Sequence, residues 1–171
     1  MLLNLKKKIQ EDGTLLPVRY EFNLSSLEFN AGHPFVSPVE VNGTVTTHGG
    51  FATMEAEVSF DFSIPCDRCT SQINKRFTYR FSHILVETLS NEEDADDGQY
   101  VILQEDGSLD VDKLLQEDIL LELPTKFLCK PDCKGICPIC GKNLNEGPCG
   151  CSQHQIDPRL EVLKQLIDRP E

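Results

Sequence analysis

Between Leu128 and Ser152 the chain reads LCKPDCKGICPICGKNLNEGPCGCS, and no other stretch limits the fold so tightly. It holds six of the eight cysteines: Cys129, Cys133, Cys137, Cys140, Cys149 and Cys151. The other two, Cys66 and Cys69, form a C-x-x-C inside PCDRCT. Thiolates at these spacings suit a tetrahedral zinc ion, which accepts four sulfurs at about 2.3 Å each. Cys137-Pro138-Ile139-Cys140-Gly141 has the form of a knuckle. Its glycine permits a positive φ that most residues resist, so two cysteines three apart can grip one metal from one turn. The C-x-C at Cys149 and Cys151 is close enough to supply a second pair. Asn143, Asn145, Gly147 and Gly150 suit a tight loop between the pairs.

An even cysteine count also permits a disulfide framework in a secreted domain. The start MLLNLKKKIQEDG argues against it, because basic residues follow a very short apolar run, the reverse of a secretory signal. The expectation is a reduced, cytoplasmic chain, in which such spacings favour metal. Haem attachment needs C-x-x-C-H, and no His follows Cys69 or Cys140. An all-cysteine ligand set implies closed structural sites, since a catalytic zinc keeps an open position. The expected cofactor is therefore structural Zn2+, two ions per chain. Cys66, Cys69, Cys129 and Cys133 would hold one, and Cys137, Cys140, Cys149 and Cys151 the other. The rivals are a single zinc with spare thiols, and His154 as a substitute ligand.

A length of 171 residues allows one sizeable domain, or one domain with a small appendage. No apolar run approaches the ~20 residues that span a bilayer, so no membrane partner is expected. The net charge of −12 makes the chain a poor non-specific nucleic-acid binder. The charge is uneven, however. Residues 66–80 set Arg68, Lys75, Arg76 and Arg80 against Asp67, a net of +3, and residues 126–142 set Lys126, Lys130, Lys134 and Lys142 against Asp132, again +3. One explanation is compensation, because four thiolates on one zinc leave −2. The other is a basic face for RNA or an acidic partner, built from Arg68, Lys75, Arg76, Lys130, Lys134 and Lys142.

Hydrophobic periodicity predicts an α+β fold: an antiparallel β-sheet with long hairpins, one or two packing helices and a C-terminal cysteine-rich zinc-binding segment. Val18, Tyr20, Phe22 and Leu24 alternate with polar residues as in a half-buried strand. Val39, Val41 and Val45 share one parity, interrupted by Asn42-Gly43 as a bulge or turn. Met54 to Ile64 alternates without a break, and Ile73, Phe77, Tyr79, Phe81 and Ile84 suggest the return strand. That places the C-x-x-C at a hairpin tip. SNEEDADDG, residues 90–98, reads as an exposed acidic loop. Asp110 is a good N-cap for a helix over 110–123 that ends before Pro124. Asp157-Pro158 opens a second helix. The expected division is a β-rich domain over 1–127 and a zinc-binding cluster with C-terminal helix over 128–171.

No phosphate loop, dinucleotide fingerprint, nucleophile elbow or H-E-x-x-H zinc motif is present, and the four histidines are scattered. The expectation is a protein that is not an enzyme and takes no small-molecule substrate. PCDRC, the helix ending in LPTK, CKPDCKGICPICGKNLNEGPCGC and DPRLEVLKQL together resemble the bacterial YceD family, the large ribosomal RNA subunit accumulation proteins, over nearly the whole chain. The string DCKGICPICGKNLNEGPC is similar to the cysteine-rich branch of that family; other branches keep only the central C-x-x-C. The resemblance implies a role in 23S ribosomal RNA accumulation or processing and large-subunit assembly. The implied partner is precursor 23S rRNA or a large-subunit ribosomal protein. It implies no reaction and no catalytic residues. The alternative function is a zinc- or redox-responsive regulator whose thiolates release metal on oxidation. A nuclease or modifying enzyme is a third reading, without an acid/base constellation to support it.

Overall fold

Strict alternation over fifteen residues builds the centre of the protein. In the computed structural model, which describes residues 1–88 and 100–151, β4 (Phe51–Pro65) buries Ala52, Met54, Ala56, Val58, Phe60, Phe62 and Ile64 and turns the intervening residues outward. Around it stand β1 (Leu2–Asn4), β2 (Leu15–Phe22), β3 (Val39–His48), β5 (Gln72–Val86), β6 (Tyr100–Ile102), β7 (Ser108–Asp110) and α1 (Val111–Glu122). The main sheet has the order β2-β3-β4-β5-β6, and β1 pairs with β7 in a second, two-stranded sheet.

Local chemistry explains the joints. Gly49-Gly50 makes a two-residue turn between β3 and β4, with His48 opposite Phe51 and Gly50 at φ +109°. Asp110 caps α1 by accepting from the Lys113 amide at 3.3 Å. Leu123 is extended, as the residue before Pro124 must be, and the helix stops there. Val111, Leu115 and Ile119 form its buried stripe.

The chain divides into two compact units. One comprises residues 1–64 and 72–127; the other comprises, of the described residues, 65–71 together with 128–151. The first owns a core rich in phenylalanine. Phe35 and Phe62 meet edge-on with ring centres 5.1 Å apart, Phe60 stacks on Phe77 at 5.8 Å, and Phe62 stacks on Phe127 at 5.5 Å.

Three sequence expectations need correction. The sheet is mixed rather than purely antiparallel, because β6 runs parallel to β5 with Ile84 opposite Tyr100. A parallel neighbour needs a long crossover, and thirteen residues separate these strands. Asn42-Gly43 forms no turn: β3 runs straight through it, and Gly43 sits opposite Ala56. A Cβ on Gly43 would lie 2.4 Å from the Glu55 carbonyl oxygen, so close backbone approach explains the glycine. Finally, β5 continues its inward face through His83 and Leu85, leaving Ile84 on the other side and half-buried. Periodicity misled there because His is polar, yet His83 is buried and its Nε2 bonds Oδ2 of the half-buried Asp118 of α1 at 2.7 Å. The acidic stretch 90–98 and the helix expected from Asp157 lie outside the described residues.

Candidate metal centres

The described residues of the second unit are built on turns. After β4 the chain folds sharply. The Cys66 amide donates to the Ser71 carbonyl at 2.9 Å, the Thr70 amide donates to the Cys66 carbonyl at 2.9 Å, and Thr70 takes a positive φ of 59°. This brings Cys66 and Cys69 to one side. Beyond Leu128, a further turn with the Cys133 amide on the Lys130 carbonyl presents Cys129 and Cys133. Cys66 Sγ then lies 3.8 Å from Cys133 Sγ, and Cys69 Sγ lies 3.5 Å from Cys129 Sγ. Sulfurs around a tetrahedral zinc with bonds of about 2.3 Å stand about 3.8 Å apart.

The knuckle at Cys137 closes in the same way. Gly141 donates to the Cys137 carbonyl at 2.9 Å, and its φ of +72° is the left-handed conformation the sequence required of it. The Cys137 amide donates to the Lys142 carbonyl at 2.8 Å, and Ile136 bridges Asn143. The loop from Lys142 to Pro148 then returns Cys149 and Cys151 to the same place.

The eight thiols thus stand in two groups of four, Cys66, Cys69, Cys129, Cys133 and Cys137, Cys140, Cys149, Cys151, with the sulfurs of each group within 4.8 Å of one another. All eight cysteines are free. Each group could hold one metal ion. Among the described residues the donor set fits zinc: four soft sulfurs in each group, with no carboxylate or imidazole; His154 lies outside those residues.

The two groups differ in cover. Cys66, Cys69 and Cys133 are buried and only Cys129 is exposed; in the second group Cys137 alone is buried and Cys140 is exposed. The electrostatics are parallel. Burial pushes the Cys66 thiol up, but the amides of Cys129, Arg68 and Cys69 outweigh it and bring it down to about 6. The amides of Cys140 and Ile139, with the Cys149 thiol, bring Cys137 down to about 6. Bonding to Cys69, then burial, pushes Cys129 up to about 12, and Cys140 and burial do the same to Cys151. Without metal, the first group thus sets lowered Cys66 and Cys133 thiols against a raised Cys129, and the second a lowered Cys137 against a raised Cys151.

Asn145 is a participant that sequence reasoning treated only as a loop former. Its Nδ2 donates to Cys133 Sγ at 3.3 Å and is the leading cause of a lowered Cys133 thiol. Its position gave no signal, because the contact joins one cysteine group to the loop between ligands of the other.

The six basic residues singled out by charge do not share one situation. Arg68, Lys130, Lys134 and Lys142 belong to the second unit, Lys75 and Arg76 to the first. Arg68 donates to the Cys133 carbonyl at 2.9 Å, and Lys142 to the Pro148 carbonyl at 3.2 Å. Arg76 is committed to Glu40 at 2.6 Å and Asp61 at 3.5 Å, which lowers the Glu40 carboxyl. Lys75 lies over the Phe77 ring. Elsewhere a groove of about 610 Å³ opens on the outward face of the main sheet, where Arg19, Glu55, Glu57 and Arg80 line it; its lining includes no His or Cys. No helix among the described residues is long and apolar enough to cross a membrane.

Comparison with known proteins reaches the same segments. Residues 54–167 match the family described as large ribosomal RNA subunit accumulation protein YceD. The uncharacterized protein YlbN of Bacillus subtilis is 26% identical over 137 residues, which cover 80% of this chain and 78% of that protein. An uncharacterized protein of Mycobacterium tuberculosis is 30% identical over 102 residues, 60% of this chain and 49% of that one. In Zea mays, the chloroplastic large ribosomal RNA subunit accumulation protein YCED homolog 1 is 26% identical over 159 residues, 77% of this chain and 54% of that one. The chain thus spans about half the length of the mycobacterial and maize relatives. No solved structure matches it. The family match runs from near the start of β4 through both cysteine groups and covers two thirds of the residues, and on that ground the chain belongs to the YceD family.

Proposed function

We propose that this protein is a non-catalytic factor for 23S ribosomal RNA accumulation and large-subunit assembly in the cytoplasm, with two structural zinc ions. Family membership carries the ribosomal part of this reading. Two thiol tetrads with sulfur spacings near those of a zinc tetrahedron support the zinc part. Zinc supplies cross-linking and charge here, not chemistry: a closed four-sulfur shell leaves no place for water or substrate. The partner is precursor 23S rRNA or an RNA-bound ribosomal protein, met by the basic residues of the second unit. Lys134 and Lys142 are exposed there and Lys130 is half-buried.

The test is depletion of the protein followed by measurement of mature and precursor 23S rRNA. Loss of mature 23S rRNA with 16S rRNA unchanged is expected. Complementation by the wild type and failure of a Cys66→Ser, Cys69→Ser variant would tie the role to the first thiol group. Unchanged 23S levels on depletion would overturn the ribosomal reading. Two zinc ions per purified chain are expected; one would sink the two-site version.

The greater exposure of the second group favours one alternative, a redox-responsive regulator. Peroxide would then expel zinc from a protein that, as an assembly factor, should keep it.

A further inference from the structure

We infer that the two thiol groups bind metal cooperatively, and that Asn145 is the positioning residue that couples them. This rests on the metal reading above and adds to it a thermodynamic link between sites. The observation is where the loop of the second group goes. Asn143 and Asn145 lie between Cys140 and Cys149, so metal at the second group fixes both ends of their loop. From that loop Asn145 Nδ2 donates to Cys133 Sγ at 3.3 Å, and Asn143 Nδ2 donates to Ser71 Oγ at 3.4 Å. Ser71 Oγ in turn lies 3.3 Å from Cys69 Sγ. Two sulfurs of the first group are therefore contacted, directly or through one hydroxyl, by side chains whose backbone belongs to the second.

The loop is itself cross-braced. Asn143 Oδ1 accepts from the Asn145 amide at 3.0 Å and from Asn145 Nδ2 at 2.9 Å, and Asn145 Oδ1 accepts from the Lys134 amide at 3.0 Å. Lys134 follows Cys133 directly. Asn145 thus holds the Cys133 turn by its oxygen and the Cys133 sulfur by its nitrogen. The Leu144 amide adds a bond to the Gly135 carbonyl at 2.9 Å. Gly135 sits at φ +76°, where a Cβ would lie 3.0 Å from the Arg68 carbonyl oxygen. The segment between Cys133 and Cys137 is consequently pinned from both groups.

An N–H aimed at a ligating sulfur stabilises the thiolate and orients it, and loss of such an outer partner typically costs about 10–100-fold in metal affinity. When the second group is empty, its loop has lost the anchors at Cys140 and Cys149, and ordering it must be met from the first group's binding. Metal at either group therefore favours metal at the other, by the same factor in both directions, because linkage is reciprocal.

The test uses the full chain, metal-free, titrated with Co2+, whose sulfur-to-metal charge-transfer band reports thiolate ligation, in competition with a chelator of known affinity. Three proteins define the cycle: wild type, Cys149→Ser/Cys151→Ser, and Cys66→Ser/Cys69→Ser. The product of the two association constants in the wild type should exceed the product of the isolated-site constants by about 5–150-fold. Asn145→Ala, and the isosteric Asn145→Asp that lacks the N–H donor, should still bind two ions. They should lose about 10–100-fold at the first site, and most of the excess should vanish. Amide exchange across β3, β4 and β5 verifies that each variant keeps its sheet. Two ions binding with no excess in the wild type, or an excess untouched by both Asn145 variants, overturns the coupling while leaving the metal reading intact. Absence of any charge-transfer band in the wild type overturns both.

Discussion

At Gly43 the sheet leaves no room for even one carbon. The built Cβ lies 2.4 Å from the Glu55 carbonyl oxygen and 3.0 Å from the Ala56 Cα, both backbone atoms of the neighbouring strand. Gly43→Ala should therefore cost about 1–3 kcal/mol, as overpacking does, read from the denaturation midpoint. A midpoint unchanged within error would mean that the strands yield freely. The thiols carry a second expectation at this scale. In the metal-free protein Cys66 and Cys137 are held near 6, and Cys129 and Cys151 near 12. Zinc must displace the protons of the last two throughout the neutral range. Below about 6 it must displace those of Cys66 and Cys137 as well, so affinity falls as pH falls, and falls more steeply there. The slope of log affinity against pH should steepen by about one proton per site on crossing that value; potentiometric titration of zinc uptake measures it.

Helix α1 and strand β4 show what pattern alone can deliver. Asp110 combines a β-region backbone with a side chain on the Lys113 amide, so Asp110→Ala should cost about 1 kcal/mol, checked by thermal unfolding of the metal-loaded protein. Its place before Val111 was legible because cap chemistry is local, and β4 was legible because alternation over fifteen residues has no helical counterpart. The misses share a cause, which is that a neighbour distant in sequence decided the outcome. His83 faces inward because Asp118 is there to receive it. Gly43 looks like a turn residue and is instead a close-approach residue. The direction of β6 depends on its partner, and a three-residue YVI carries no hint of that. The pairs within each turn were readable from spacing, since two-cysteine turns are local devices, and the sulfurs do stand in the two expected groups; the asparagine between the groups gave no signal.

Over the whole chain the two units place different demands on metal. The first has its own apolar core, and the second, among its described residues, has few buried residues beyond its cysteines. Zinc binding supplies about 10 kcal/mol of folding free energy in such loops. Chelation should abolish amide protection between Leu128 and Cys151, and Cys137→Ser that between Gly135 and Cys151, while β3, β4 and the distal half of β5 stay protected. Equal protection with and without zinc would mean that the turns hold themselves. A second expectation concerns RNA. Each phosphate contact contributes about 0.7 to the slope of log affinity against log salt for single strands. Lys130→Ala, Lys134→Ala and Lys142→Ala together should weaken RNA binding and flatten that slope by about 2. Arg68 is left intact because it holds the Cys133 carbonyl. Arg76→Ala should leave the slope unchanged, since Glu40 and Asp61 already occupy that charge.

The first thiol group takes two members from the turn after β4 and two from the segment after α1, with 60 residues between Cys69 and Cys129. Synthesis is vectorial, and these pairs leave the ribosome at different times. At about 5–20 residues per second, roughly 3–12 s pass between the emergence of the C-x-x-C and that of its partners. During that interval a zinc ion gripped by Cys66 and Cys69 would have half a shell, open to exchange with any competing thiol. A closed first site would therefore have to wait until Cys133 has emerged, and a closed second one, which needs Cys151, later still.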